Sequence, residues 1–218
     1  PTVYSEMLPS EYSRDSLLKP KRFTHYSMGL YVLFFGSKKK FSDVAHHTIW
    51  MSERYKELLH DIFEKKILTE DFSLYLHRPT ATDDTFAPEG CDSFYVLCPV
   101  PNLQGNVQWN LEGPKLKDRI VEALDKTIMP GLKENIEAEF WMTPEDFKND
   151  YRSKYGAGFS VAPIFSQSAW FRYHNKDKKI PNLYFSAAGS HPGAGIPGVL
   201  CSAKVIEKLI IRDFKVSH

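Results

Sequence analysis

The segment that most constrains this chain is the strand–turn–helix pattern over 182–214. Leu183-Tyr184-Phe185-Ser186-Ala187-Ala188 is a short apolar run fit for a buried strand, and the glycines and prolines of Gly189-Ser190-His191-Pro192-Gly193-Ala194-Gly195-Ile196-Pro197-Gly198 end it. Pro197 suits the first position of a helix, because its fixed φ is already helical and its missing N–H is not needed there. Val199, Ala203, Ile206 and Ile210 then recur at helical spacing as the expected buried stripe, with Lys204, Lys208 and Arg212 turned away. Such a unit aims unpaired backbone N–H groups and the positive end of a helix dipole at any anion or electron-rich ring beyond the strand. The expectation is a cofactor cradle; a glycine-rich connection without ligand is the alternative. Gly193-Ala-Gly195-Ile-Pro-Gly198 matches G-x-G-x-x-G, but a dinucleotide fingerprint also needs a second strand and an acid roughly 20 residues on, and the sequence ends at His218.

A chain of 218 residues, 42% of them hydrophobic, can bury one large core or two small ones. Its 28 basic and 27 acidic residues leave a net charge of +1, a balance that implies no nucleic-acid partner. Cys91, Cys98 and Cys201 form neither a C-x-x-C pair nor an even framework and read as ordinary thiols of a reducing compartment. No signal-peptide pattern opens the chain, and no apolar run approaches the roughly 20 residues that span a bilayer. A cytoplasmic protein, soluble or peripheral on a membrane, is expected, and the opening at Pro1 predicts a start within a longer polypeptide.

In chain order, 6–22 predicts a short helix with loops, and Phe23 to Phe35 a long strand with Tyr26, Met28, Leu30, Val32 and Phe34 on one face. Lys38, Lys39 and Lys40 follow in a solvated turn. Ser52 suits the cap of a helix running to about Lys66, with Tyr55, Leu58, Leu59, Ile62 and Phe63 inward. Residues 72–77 and 94–100 read as paired strands, 114–128 as a helix on Leu116, Ile120, Leu124 and Ile128, and 136–141 as a strand. Thr143-Pro144-Glu145-Asp146 is a helix start: cap, proline, then acids. There are no internal repeats.

The polar machinery of most enzymes is missing: no nucleophile elbow, no P-loop, no interpretable metal-ligand spacing. His60 and Glu64 read as a surface pair, and His46-His47, without carboxylate or cysteine company, as structural, so no metal is expected. Between Tyr151 and Tyr173 aromatic and small residues mix without a period; Phe159, Ile164, Phe165, Trp170 and Phe171 either add to a core or line a cavity.

Longer strings narrow the reading. Ser168-Ala-Trp170-Phe-Arg172-Tyr-His174-Asn-Lys-Asp177, Asn182-Leu-Tyr184 and His191-Pro-Gly193-Ala-Gly195-Ile-Pro197-Gly198-Val199 closely resemble the carboxyl-terminal part of bacterial phytoene desaturases. So do Asp71-Phe-Ser-Leu74-Tyr-Leu76-His77, Ala87-Pro-Glu89-Gly90-Cys91, Pro99-Val-Pro101 and Met129-Pro-Gly131-Leu132, so the resemblance covers nearly the whole chain in order. It implies an FAD-dependent desaturase of the amine-oxidase-like flavoprotein superfamily, taking a polyene hydrocarbon at a membrane surface. The implied fold is mixed α/β (α+β): a substrate domain over 1–160, a mixed sheet with helices, and over 161–218 the closing strand–turn–helix of a Rossmann-like FAD domain.

The same resemblance places Ala188 and Gly189 near the flavin's pyrophosphate and ribityl chain, and Gly195, Ile196, Pro197 and Gly198 against the isoalloxazine. Ala187 and Cys201 stand where the family has glycine, and a methyl at Ala187 crowds the cofactor's approach. Phe159, Phe165 and Trp170 are the implied substrate-lining residues, Arg172 and His191 neighbours of the site; no catalytic acid or base is assigned. The implied reaction is desaturation of phytoene toward lycopene. Alternatives are a desaturase of a dehydrosqualene-type substrate or a carotenoid isomerase of the same superfamily, and, from another class, a non-catalytic lipid-binding fragment.

Overall fold

In the computed structural model, residues 2–9, 11–12 and 24–215 are described. The helix expected over 6–22 falls mostly outside them. The chain divides into two compact units, Met28–Tyr151, and Pro1–Ser27 with Arg152–His218.

The first unit is organised by β1 (Gly29–Ser37), a central strand paired on one side with β4 (Asp92–Val100) and on the other with β5 (Ile136–Met142). With β2 (His47–Trp50) and β3 (Leu74–His77) the sheet order is β2-β3-β4-β1-β5, and every pairing is antiparallel. The expected pairing of the strands near 72–77 and 94–100 is present as β3 with β4. Leu30, Val32 and Phe34 share one face of β1 as expected, and the opposite face, Tyr31, Leu33 and Phe35, enters the main core. A strand with neighbours on both edges and cover on both faces carries apolar residues at every position, so alternation does not reveal which face meets the helices. On the even face Phe34 packs beside its cross-strand neighbours, stacked on Phe140 at 4.6 Å and edge-on to Tyr95 at 5.2 Å.

Against the core face packs α2 (Trp109–Lys126), burying Leu116, Ile120 and Leu124 as the spacing predicts. It begins five residues before the expected start at Pro114, because Trp109 is itself buried and stacks on Tyr31, whose hydroxyl donates to the Gly113 carbonyl at 2.9 Å. Ile128 lies beyond the helix and is exposed. Helix α1 (Tyr55–His60) runs on into a π-helical turn over Asp61–Lys65, with Leu58 and Ile62 buried. Ser52 does not cap it. Its hydroxyl accepts the Arg54 N–H at 3.0 Å and donates to Asp71 at 2.5 Å, closing the turn before the helix, and Tyr55 is left exposed. Past the short α3 (Leu132–Asn135), α4 (Pro144–Tyr151) starts as expected: the Glu145 N–H donates to Thr143 Oγ1 at 3.2 Å, and Asp146 accepts the Thr143 N–H at 2.6 Å.

A buried charge cluster closes the loops at the sheet's end. Asp92 accepts the Phe41 N–H at 2.6 Å, Thr80 Oγ1 at 2.6 Å and Arg78 Nε at 3.1 Å, while Arg78 Nη1 donates to the Val44 carbonyl at 3.1 Å. The three lysines after β1 are engaged at the surface: Lys38 with Glu137, Lys39 with the Pro130 carbonyl, Lys40 with Asp84.

The second unit has little regular structure apart from α5 (Ile196–Phe214). The strand expected over 183–188 forms only a single bridge, Lys176 with Tyr184, and a second, Tyr173 with Ser190, follows in the turn. Leu183, Tyr184 and Phe185 are half-buried, and Ser186 and Ala187 are exposed. A parallel strand needs neighbours on its edges, and among the described residues of this unit only 173–177 runs beside it.

Candidate functional site

The turn between 187 and 195 is built from hydrogen bonds that its short polar side chains make to backbone. Ser190 folds back on Ala187, its N–H and its hydroxyl both donating to the Ala187 carbonyl, at 3.0 and 2.9 Å. Asn175 Nδ2 then ties three points together: the Phe185 carbonyl at 3.0 Å, the His191 carbonyl at 2.9 Å and Ser202 Oγ of α5 at 2.8 Å. Ser202 and Ser190 hydroxyls also meet, at 3.1 Å. This polar lock sets the rotation of α5 and corrects the expected stripe. Val199, Ser202, Val205, Ile206 and Leu209 face inward, whereas Ala203 and Ile210 are exposed. Ile196, Leu200 and Phe214 are exposed as well.

Arg172 is the second anchor. It is buried, and its guanidinium donates to three carbonyl oxygens: Ala188 at 2.7 Å from Nε, Phe159 at 2.9 Å from Nη2 and Gln167 at 3.3 Å from Nη1. Burial lowers its pKa from the usual arginine value, yet a group starting that high stays charged at neutral pH. Arg172 thus holds the carbonyl of Ala188, one of the expected cofactor-side residues. His191 is fixed by its Nδ1, 3.0 Å from the Ala169 carbonyl, which places the ring proton there.

The start of α5 has the properties of an anion or ring cradle. No side chain caps it, and its first turn carries no acid. Gly193 and Gly195 have φ of 148° and 90°, and a Cβ on Gly198 would come 2.7 Å from the Gly193 carbonyl oxygen. Gly189 is similarly tight, a Cβ there coming 2.9 Å from Ser160 Oγ. Backbone crowding at Gly198 and the positive φ of Gly195 therefore favour glycine at two of the expected cofactor positions, whereas the neighbour at Gly189 is a movable serine hydroxyl. Ala188, Gly189, Gly195, Ile196, Pro197 and Gly198 lie on one continuous turn into α5, and Ala187 is exposed beside it.

The expected substrate-lining residues do not share one pocket. Trp170 edges a cavity of about 410 Å³, packed edge-on to His174 at 5.1 Å. That cavity mixes Tyr4, Val161, Phe171 and Tyr173 with Lys176, Lys178, Lys179 and Asp177, and Lys176 is already paired with Asp213. Phe165 is outside it, 87% exposed and tilted against Phe171 at 5.8 Å, and Phe159 is half-buried. Trp170 is 68% exposed, so 164–171 presents large apolar side chains to solvent. Sequence reasoning also missed a cluster in the other unit, where His77 joins His46 and His47; the signal was the cross-strand register of β2 and β3, which no local pattern encodes.

The glycine-lined, uncapped helix start suits a cofactor turn, and the relatives of the chain supply its class, the carotenoid desaturases. Phytoene desaturases in particular match it. The chain is 48% identical over 215 residues to the lycopene-forming phytoene desaturase of Pantoea ananas, covering 97% of this chain and 43% of that protein. It is 50% identical over 218 residues to the lycopene-forming enzyme of Pseudescherichia vulneris, covering 98% and 44%, and 47% identical over 201 residues to the neurosporene-forming enzyme of Rhodobacter capsulatus, covering 90% and 38%. The chain is a phytoene desaturase homologue and spans less than half the length of these relatives. No protein-family model matches it. Among the described residues, no helix is long and apolar enough to cross a membrane.

Proposed function

We propose that this chain is part of an FAD-dependent phytoene desaturase of carotenoid biosynthesis, converting phytoene toward lycopene. The observation that carries the reading is identity of 47–50% over nine-tenths or more of the chain with three phytoene desaturases, two lycopene-forming and one neurosporene-forming. Residues 161–218 belong to the flavin side of the protein, and the sheet within 1–160 to the substrate side.

In this reading Ala188 and Gly189 pass beside the pyrophosphate and ribityl chain of FAD, and Gly195 to Gly198 meet the isoalloxazine, with Pro197 contributing no N–H. FAD, when bound, supplies the acceptor for the hydride equivalent removed from the polyene, the accompanying proton leaving separately. This chain's residues bind and orient: Arg172 positions the Ala188 carbonyl, and the Asn175–Ser202–Ser190 lock holds α5 against the turn. Phytoene has no polar group, so its binding comes from apolar area at about 25 cal/mol per Å². Phe159, Phe165 and Trp170 supply such area, and the exposed aromatics of 164–171 suit peripheral contact with the cytoplasmic face of a membrane.

The test is a chimera in which the matching stretch of the Pantoea ananas desaturase is replaced by this chain. The chimera is expected to purify with bound flavin and to deplete phytoene in lipid extracts. A folded chimera that leaves phytoene unchanged and carries no flavin overturns the reading.

A further inference from the structure

His47 opens β2, the edge strand of the sheet, and pairs directly with His77 at the end of β3. His46 precedes β2, and its carbonyl accepts the Arg78 N–H at 2.9 Å, so the ladder continues past the last paired residues. Register alone therefore gathers three imidazoles. Ring centroids lie 4.2 Å apart for His46 and His47, 4.8 Å for His46 and His77, and 5.1 Å for His47 and His77. One ring nitrogen from each falls within 4.8 Å of the others, and His46 Nε2 is 3.0 Å from His77 Nε2.

We propose that His46, His47 and His77 bind one zinc-type divalent ion, which clips the edge strand β2 to the rest of the sheet. A tetrahedral ion with bonds of about 2.0–2.1 Å sets ligand nitrogens about 3.3 Å apart. The His46–His77 spacing is already close to that, and the His47 nitrogen, within 4.8 Å of the other two, has up to about 1.5 Å to close on binding. An all-imidazole ligand set selects zinc, cobalt, nickel or copper over magnesium or calcium, which require oxygen donors. A water completes the fourth position. Imidazole binds a metal in its neutral form, so the ion replaces the His46–His77 hydrogen bond through a tautomer shift together with the movement of His47.

The surroundings resemble a metal site's outer shell. Tyr75 Oη lies 2.7 Å from His47 Nδ1, the kind of partner that metal-bound imidazoles carry on their second nitrogen. The scaffold beneath is rigid: Arg78, next to His77, is buried and paired with the buried Asp92. The ion strengthens an edge that otherwise rests on a four-residue ladder.

The experiment uses the tag-free 218-residue chain, stripped with a chelator and titrated with Zn²⁺ against a competing indicator, with Co²⁺ absorption as a report on geometry. One equivalent per chain is expected, with a tetrahedral cobalt spectrum. His47→Gln, at an exposed position, is expected to weaken binding by more than the about 10- to 100-fold expected for Tyr75→Phe, and His60→Gln on α1 to leave it unchanged. Zn²⁺ is also expected to protect His46, His47 and His77 of the unmutated chain from imidazole acylation, a readout that needs no variant. Substoichiometric binding, binding indifferent to His47→Gln, or acylation of the three histidines unaffected by Zn²⁺ overturns the proposal.

Discussion

Replacing Arg172 with methionine keeps an apolar stem of similar length but deletes the guanidinium that holds three carbonyls, those of Phe159, Gln167 and Ala188. Hydrogen bonds to a charged group contribute about 1.5–3 kcal/mol each, and a buried carbonyl left without a partner costs about 1–3 kcal/mol. Water reaches part of the opened space, so the sum is not additive; a local loss of about 3 kcal/mol is a conservative expectation. That corresponds to roughly 100-fold faster opening of the segment. The amides that report it are His191 N–H, bonded to the Tyr173 carbonyl at 2.7 Å, and Phe185 N–H, bonded to the Asn175 carbonyl at 2.8 Å. Native-state hydrogen exchange should show both accelerated on that scale in Arg172→Met, while amides of β1 and β4 are unaffected. A change below threefold at both sites would falsify the claim that Arg172 organises the cofactor turn.

Other consequences are as direct. Asp92→Ala leaves Arg78 buried without its partner, and the unit 28–151 should lose about 3–5 kcal/mol in denaturant unfolding. In the other unit, hydrogen bonds from Lys176 at 2.5 Å and Tyr184 at 2.7 Å hold the Asp213 carboxyl well below its usual range. Burial alone would raise Asp177, but the Tyr4 hydroxyl and the Ile180 and Lys179 N–H groups outweigh it and lower its pKa. Both are depressed relative to the unfolded chain, so their stabilisation is complete above about pH 4 and is lost as pH falls through the folded values. Acid titration by circular dichroism should therefore show loss beginning below about pH 4, and Asp213→Asn should flatten it. Burial pushes the Cys98 thiol up to about 12, whereas Cys201 is exposed; a thiol reagent at pH 8 should label Cys201 in the folded chain and Cys98 only after denaturation.

Where local chemistry decides structure, the sequence was readable. Thr143 and Asp146 close a cap whose residue types announce it, and Leu116, Ile120 and Leu124 keep a helical interval because one side of α2 meets one core. What remained hidden depends on partners distant in the chain. The face of β1 is set by which side α2 covers, and the rotation of α5 by the polar lock on Ser202 rather than by its aliphatic residues. The apolar run 183–188 has strand composition, but only a short neighbouring segment to pair with. In the candidate site, the glycines were legible as a dense run after an apolar stretch, and the structure gives the reason at Gly195, with φ of 90°, and at Gly198, where a Cβ would lie 2.7 Å from the Gly193 carbonyl oxygen. Arg172 and Asn175 stood in the string that carried the resemblance, but their hydrogen bonds to backbone and to Ser202 depend on distant segments and were not readable from it.

The claim at the centre of this account is that the turn into α5 contacts the flavin. Its most direct measurement is bound flavin per protein in the Pantoea chimera, comparing Gly198 with Gly198→Ala, whose Cβ would sit 2.7 Å from the Gly193 carbonyl oxygen. The account predicts about one flavin per folded chimera and its loss, by tenfold or more in affinity, in the variant. Equal flavin content and affinity in both proteins would contradict it.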